Sequence, residues 1–68
     1  MHINSLVERF LKETDLPPTK FGRLAVRDPR LAFDMRNGRE LGEPVAARLR
    51  IFMIDYRARQ NEAMRDAA

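Results

Sequence analysis

The chain contains no cysteine. That excludes a disulfide staple and a thiolate metal site. Its one histidine, His2, cannot form a metal site alone. There is one serine, and no pair of carboxylates sits in an apolar setting. The parts for nucleophilic or acid–base chemistry are therefore missing. No glycine-rich phosphate loop is present either. The chain reads as a non-enzyme with no cofactor and no metal. No apolar run approaches the roughly 18–20 residues that a membrane span needs. The first residues lack the basic-then-apolar pattern of a secretion signal. These absences predict a soluble cytoplasmic protein without a membrane partner. Alternating strand patterns are also missing, because valine and isoleucine are few and scattered.

What is present is charge, mostly arginine. Eleven Arg and two Lys face ten Asp and Glu, a net charge of +3 over 68 residues, and the pI is near 10.2. Residues 1–68 make one domain at most. A chain this short buries about 60% of the surface that its unfolded form exposes, so its core is small. From Thr19 to Arg39 six basic residues (Lys20, Arg23, Arg27, Arg30, Arg36, Arg39) face only two acidic ones (Asp28, Asp34). The rest of the chain carries seven basic and eight acidic residues. The whole cationic excess lies in the middle third, which suits a polyanion or simply a solvated charged surface.

The patterning predicts an all-α fold, a compact domain of four or five helices. A first helix, about 4–14, carries Ile3, Leu6, Val7, Phe10 and Leu11 at spacings of three and four. Ser5 and Glu8 have capping-box spacing, so Ser5 reads as its N-cap. Asp15-Leu16-Pro17-Pro18 ends it. A second helix, about 18–26, turns Phe21, Leu24 and Ala25 inward. Gly22 sits mid-helix, where it costs up to about 1 kcal/mol against Ala, so either another helix approaches closely there or the position is merely tolerant. Asp28 as N-cap and Pro29 at N1 start a third helix, 28–37, which stops at Gly38. Ala32 and Met35 are its inward pair, with Leu31 at the edge. Arg30, Phe33, Asp34 and Asn37 face outward. The longest helix, about 43–61, has a core stripe of Val45, Leu49, Phe52, Met53 and Tyr56. The tail 62–68 is expected to fray.

Two short helices joined by a tight turn, with longer helices on either side, form a helix-turn-helix arrangement. In such a pair the second helix enters the major groove and reads base edges. Arg30 could pair with guanine, Asn37 with adenine, Asp34 with cytosine N4, and Phe33 could touch a thymine methyl. Asn37 could equally cap the helix, and Phe33 could equally pack on a neighbour.

At this point the residues resemble a family. F21-G22-R23-L24-A25-V26-x-D28-P29-R30-L31, followed by M35-R36-N37-G38-R39, is similar to the lambda-repressor-like (Xre/Cro) helix-turn-helix domains. More narrowly it resembles short single-domain regulators of alphaproteobacteria and mobile elements. The resemblance spans about Leu16 to Phe52. It implies that Gly22 is the small residue where the two helices cross, and that Ala32 and Met35 are buried. It implies phosphate contact by Asn37-Gly38-Arg39 and at Pro18, Thr19 and Lys20, and base reading by Arg30, Phe33 and Asp34. Arg23 and Arg27 complete the candidate DNA-binding set. Val26 departs from the glycine usual at the turn, and Pro29 from a polar residue that often touches DNA.

A lone reading helix spans about four base pairs, so such modules bind as two-fold dimers. Ile51, Ile54 and Tyr56 on the last helix are the candidate dimer contact, or alternatively they wrap the core. The expected function is therefore that of a sequence-specific regulator of double-stranded DNA, working as a homodimer on the nucleoid. It reads as a repressor, because no segment is long enough for a small-molecule effector or an activation domain. A directionality factor of a mobile element would use the same surface. The rival is a small interaction module, an antitoxin or a host-factor-binding protein, acting through the last helix.

Overall fold

The computed structural model describes residues 2–67, and side chains through residue 63. Among the described residues the chain is all-helical, with α1 at Ile3–Thr14, α2 at Pro18–Val26, α3 at Leu31–Arg36 and α4 at Glu43–Ala67. α1 and α2 each pack against both α3 and α4. No described helix is long and apolar enough to cross a membrane.

α1 starts earlier than its capping-box spacing suggests. His2 is the N-cap, and its Nδ1 accepts from the Asn4 N–H at 3.2 Å. The Leu6 N–H donates to the His2 carbonyl, so Ser5 already lies inside the first turn and is exposed. Ile3 and Leu6 pack against the core, which draws that turn into the helix. Asp15 closes the helix in the left-handed region at φ 56°, and Pro17-Pro18 follow as the sharp stop.

The largest correction lies at the start of α3. The helix begins at Leu31, not Asp28. Asp28–Leu31 is a type I β-turn instead: the Leu31 N–H donates to the Asp28 carbonyl at 3.1 Å. Arg30 at φ −92°, ψ −2° has the geometry of that turn's third residue. Pro29 supplies the fixed φ favoured at the second. The Asp28 carboxylate accepts from the Arg30 N–H at 3.0 Å and braces the turn. At its other end α3 closes in a complete Schellman motif. The Gly38 N–H bonds to the Met35 carbonyl, and the Arg39 N–H to the Asp34 carbonyl. Gly38 takes φ +95°, which only glycine adopts freely.

Because α3 starts late, Leu31 moves from the expected edge to the centre, with no exposed surface. It joins Val7, Phe10, Phe21 and Leu49 as the most deeply buried side chains. Phe10, Phe21, Phe52 and Tyr56 meet in edge-on and tilted pairs, with ring centroids 5.5–6.2 Å apart. Leu24, expected inward, is 51% exposed instead. Phe21 already fills the space between α2 and the rest of the core, leaving Leu24 beside Phe52 and Tyr56 at the surface.

α4 runs 25 residues, about 37 Å at 1.5 Å per residue. Residues 62–67, expected to fray, continue the helix, and Ala68 lies outside the described residues. The extension contains Ala, Arg, Glu and Met, all strong helix formers, and one weaker one, Asp66, with no glycine or proline to stop it.

Candidate nucleic-acid interface

The candidate surface is built on α2, the Asp28–Leu31 turn and α3. Gly22 lets these elements approach. A Cβ there would overlap the Asp28 carbonyl oxygen and stand 3.2 Å from the Leu31 Cβ. The close approach expected at Gly22 is therefore real, and the partner is the turn together with the first residue of α3. The α2 C-terminus reaches the turn through Arg27, which takes the left-handed conformation at φ 59°. Its N–H donates to the Arg23 carbonyl at 3.0 Å, and the Asp28 N–H to the Gly22 carbonyl at 3.0 Å. The left-handed position thus falls on Arg27, one residue after Val26.

Thr19, Lys20, Arg23, Arg27, Arg30, Phe33, Asn37 and Arg39 are all exposed, and Asp34 is half-exposed. The cations of this segment, Arg36 included, divide into two groups. Arg39 turns back on the protein. Its Nη1 donates to Asp28 Oδ2 at 3.0 Å and to Asp34 Oδ2 at 3.2 Å. The Arg39 guanidinium holds the Asp28 carboxyl below the usual carboxylate range, aided by the Arg30 backbone N–H. Asp28 in turn raises the Arg39 pKa. Arg36 is likewise engaged: Glu8 of α1 receives three of its N–H···O contacts, the shortest at 2.8 Å. That pairing raises the Arg36 pKa and ties α3 to α1. The Arg36 guanidinium also lies 5.8 Å from the Phe33 ring centre. Lys20, Arg23, Arg27 and Arg30 form the other group. Among the described residues they make no ion pair.

The local charge excess is thus redistributed. Arg39 neutralises much of both acids of the middle segment, and Arg36 neutralises an acid brought in by α1. What remains is four exposed cations on α2 and the turn that make no ion pair among the described residues; on α3 the Phe33 ring is 45% exposed. No linear signal announced the Arg36–Glu8 and Arg39–Asp28 pairs, which are 28 and 11 residues apart. Asn37 ends α3 as its C-cap, with its backbone N–H bonded to the Phe33 and Asp34 carbonyls. Its side chain remains exposed.

Comparison with protein-family models, curated proteins and solved structures returns no significant match.

The candidate dimer residues separate on α4. Tyr56 packs inward, with its ring 5.5 Å from Phe10 and 5.8 Å from Phe52. Ile51 and Ile54 are 66% and 70% exposed. The structure therefore does not bring Tyr56 together with the two isoleucines.

Proposed function

We propose that this chain binds double-stranded DNA as a small transcriptional regulator in the cytoplasm, repressing by occupying a promoter. The α2–turn–α3 unit meets the duplex, with residues of α3 in the major groove. This reading takes up the resemblance to lambda-repressor-like domains. The observation that carries it is the set Lys20, Arg23, Arg27 and Arg30. All four are exposed and unpaired among the described residues, while the nearby acids are held by Arg39. Exposed cations without an ion-pair partner on one short unit favour phosphate, because neutralising phosphates releases counterions. Arg30, at the turn before α3, is the residue assigned to guanine, and Phe33 the one assigned to a thymine methyl. Thr19 and Lys20 in the first turn of α2 contact phosphate, and Asn37 lies at the far end of the reading surface. The protein acts as a homodimer on an inverted repeat.

The test is selection of bound sequences from random duplex DNA at about 150 mM salt, with Arg30→Ala in parallel. The reading requires an enriched inverted repeat that loses or relaxes one position in the variant. Weak, salt-sensitive binding without enrichment would overturn it.

A second reading has its own support. The exposed isoleucines of α4 suit a protein partner, as in an antitoxin or a host-factor-binding module. Binding held by Ile51 and Ile54 would depend weakly on salt. DNA binding loses about 0.9 in log K per phosphate contact for each tenfold rise in salt.

A further inference from the structure

The outward face of α4 has a two-part pattern. Ala47, Ile51, Ile54, Ala58 and Asn61 follow one another at spacings of four, three, four and three. That is the spacing of a coiled-coil seam. By helical rotation of about 100° per residue the stripe lies opposite the core-facing Ala46, Leu49, Met53 and Tyr56. The exposures agree from Ile51 onward, Ala47 being half-buried: Ala46, Leu49 and Met53 are buried, whereas Ile51 and Ile54 are the most exposed large apolar residues of the chain's described part. One side of this seam is flanked by Glu43, Arg50 and Arg57, the other by Arg48, Asp55 and Glu62.

We infer that two copies of this chain pair through α4, side by side, parallel and in register. The charges flanking the seam argue for the second copy as occupant. In a parallel pair each residue of the first flank meets the residue about five positions further along the second helix. Those meetings are Glu43 with Arg48, Arg50 with Asp55, and Arg57 with Glu62 of the second copy. All three are of opposite sign, and the two-fold axis doubles them. An antiparallel pair that stacks Ile51 on Ile54 brings Arg50 toward Arg57 of the second copy on one flank and Arg48 toward Asp55 on the other, so repulsion there offsets attraction, whereas all three parallel meetings attract. Asn61, in register, meets its own equivalent and can exchange carboxamide hydrogen bonds. Within one chain Arg50 holds Glu43 at 3.1 Å, Arg57 holds Glu13 at 3.0 Å and lies 5.3 Å from the Phe10 ring centre, and Arg59 holds Asp55 at 3.1 Å. Exposed pairs of this kind contribute little, so their exchange for intermolecular partners meets little resistance. The inference deepens the dimeric part of the reading above, and it stands or falls without DNA.

The absence of cysteine from the chain makes the test clean. Ala58→Cys places one thiol on the seam, against its own equivalent in a parallel pair. Mild oxidation should convert this variant to a disulfide-linked dimer, while Ser5→Cys, exposed on α1, stays monomeric under the same conditions. Arg50→Glu should weaken association in sedimentation equilibrium about tenfold, a shift of about 1.4 kcal/mol. Adding Asp55→Arg should restore it, because the pair is then reversed. A parent chain that stays monomeric at millimolar concentration would overturn the inference. So would a dimer of the Ala58→Cys variant whose new thiols do not couple, or a dimer that the double charge reversal fails to rescue. All the substituted positions are exposed, and far-ultraviolet circular dichroism checks that each variant is folded. Loss of pairing with DNA selection intact would remove the seam alone. Pairing without sequence selection would remove the DNA reading alone.

Discussion

Gly22 and Asp28 are joined by backbone alone: the Asp28 N–H donates to the Gly22 carbonyl at 3.0 Å. The Asp28 carbonyl oxygen fills the space that a Cβ on residue 22 would need. Gly22→Ala tests this contact. Helix propensity alone would favour Ala by about 1 kcal/mol. Overpacking against a backbone atom costs about 1–3 kcal/mol or more, and a carbonyl in a braced turn has little room to move. The expected outcome is net destabilisation, read as a lower urea midpoint, in spite of the better helix former.

Arg27 has the opposite problem. It holds a left-handed conformation at φ 59°, which costs an ordinary residue about 1–2 kcal/mol, and glycine takes it freely. Arg27→Gly should therefore raise stability, by about 1 kcal/mol in thermal or urea denaturation. If Arg27 meets phosphate, the same substitution weakens DNA binding and lowers the salt slope by about 0.9. A gain in stability with a loss of affinity would separate the residue's two roles. A fall in stability would sink the backbone argument.

The four helices were legible in the sequence because their punctuation is local. Pro17-Pro18, Asp28-Pro29, Gly38 and Pro44 lie where the chain changes direction. The start of α3 was not legible, and the reason is physical. Proline at the first position of a helix and proline at the second position of a type I turn need the same φ. Aspartate before it serves as N-cap in one case and as turn brace in the other. Only the Leu31 N–H bonded to the Asp28 carbonyl decides between them. The outward position of Phe33 followed from helical spacing, whereas Arg30 is exposed as a turn residue and Asn37 as the C-cap. The occupation of Arg39 by Asp28, and of Arg36 by Glu8, depends on tertiary approach that no spacing rule encodes.

Leu31 and Leu24 make a direct comparison, because spacing placed the first at the edge and the second inside. Leu31 has no exposed surface and Leu24 is 51% exposed. Leu31→Ala should cost about 2–5 kcal/mol, the range for truncating a buried leucine. In so small a domain that is enough to leave much of the population unfolded at about 37 °C. Leu24→Ala should cost well under about 1 kcal/mol. Equal losses would contradict the packing described for α2.

Asp28 carries two bonds that substitution can separate. Its Oδ1 accepts from the Arg30 N–H and its Oδ2 from Arg39. Asp28→Asn keeps an oxygen for the Arg30 N–H but presents an amide to Arg39, so the turn survives and the ion pair is lost. Asp28→Ala loses both bonds. The alanine variant should therefore melt at a lower temperature than the asparagine variant. The carboxyl has its pKa lowered in the folded chain by Arg39 and the Arg30 N–H. A depressed pKa stabilises the fold above the unfolded value, about 3.9, and that stabilisation is lost as pH falls through the folded value. In the parent chain the acid side of the stability profile should thus fall below about pH 4, and Asp28→Asn should flatten that part of the curve. DNA affinity should move the other way. Removing one negative charge beside Arg30 strengthens the cationic face, so Asp28→Asn should bind random duplex more tightly at low salt, and the gain should fade as salt rises. Unchanged or weaker binding at low salt would show that this face does not meet phosphate.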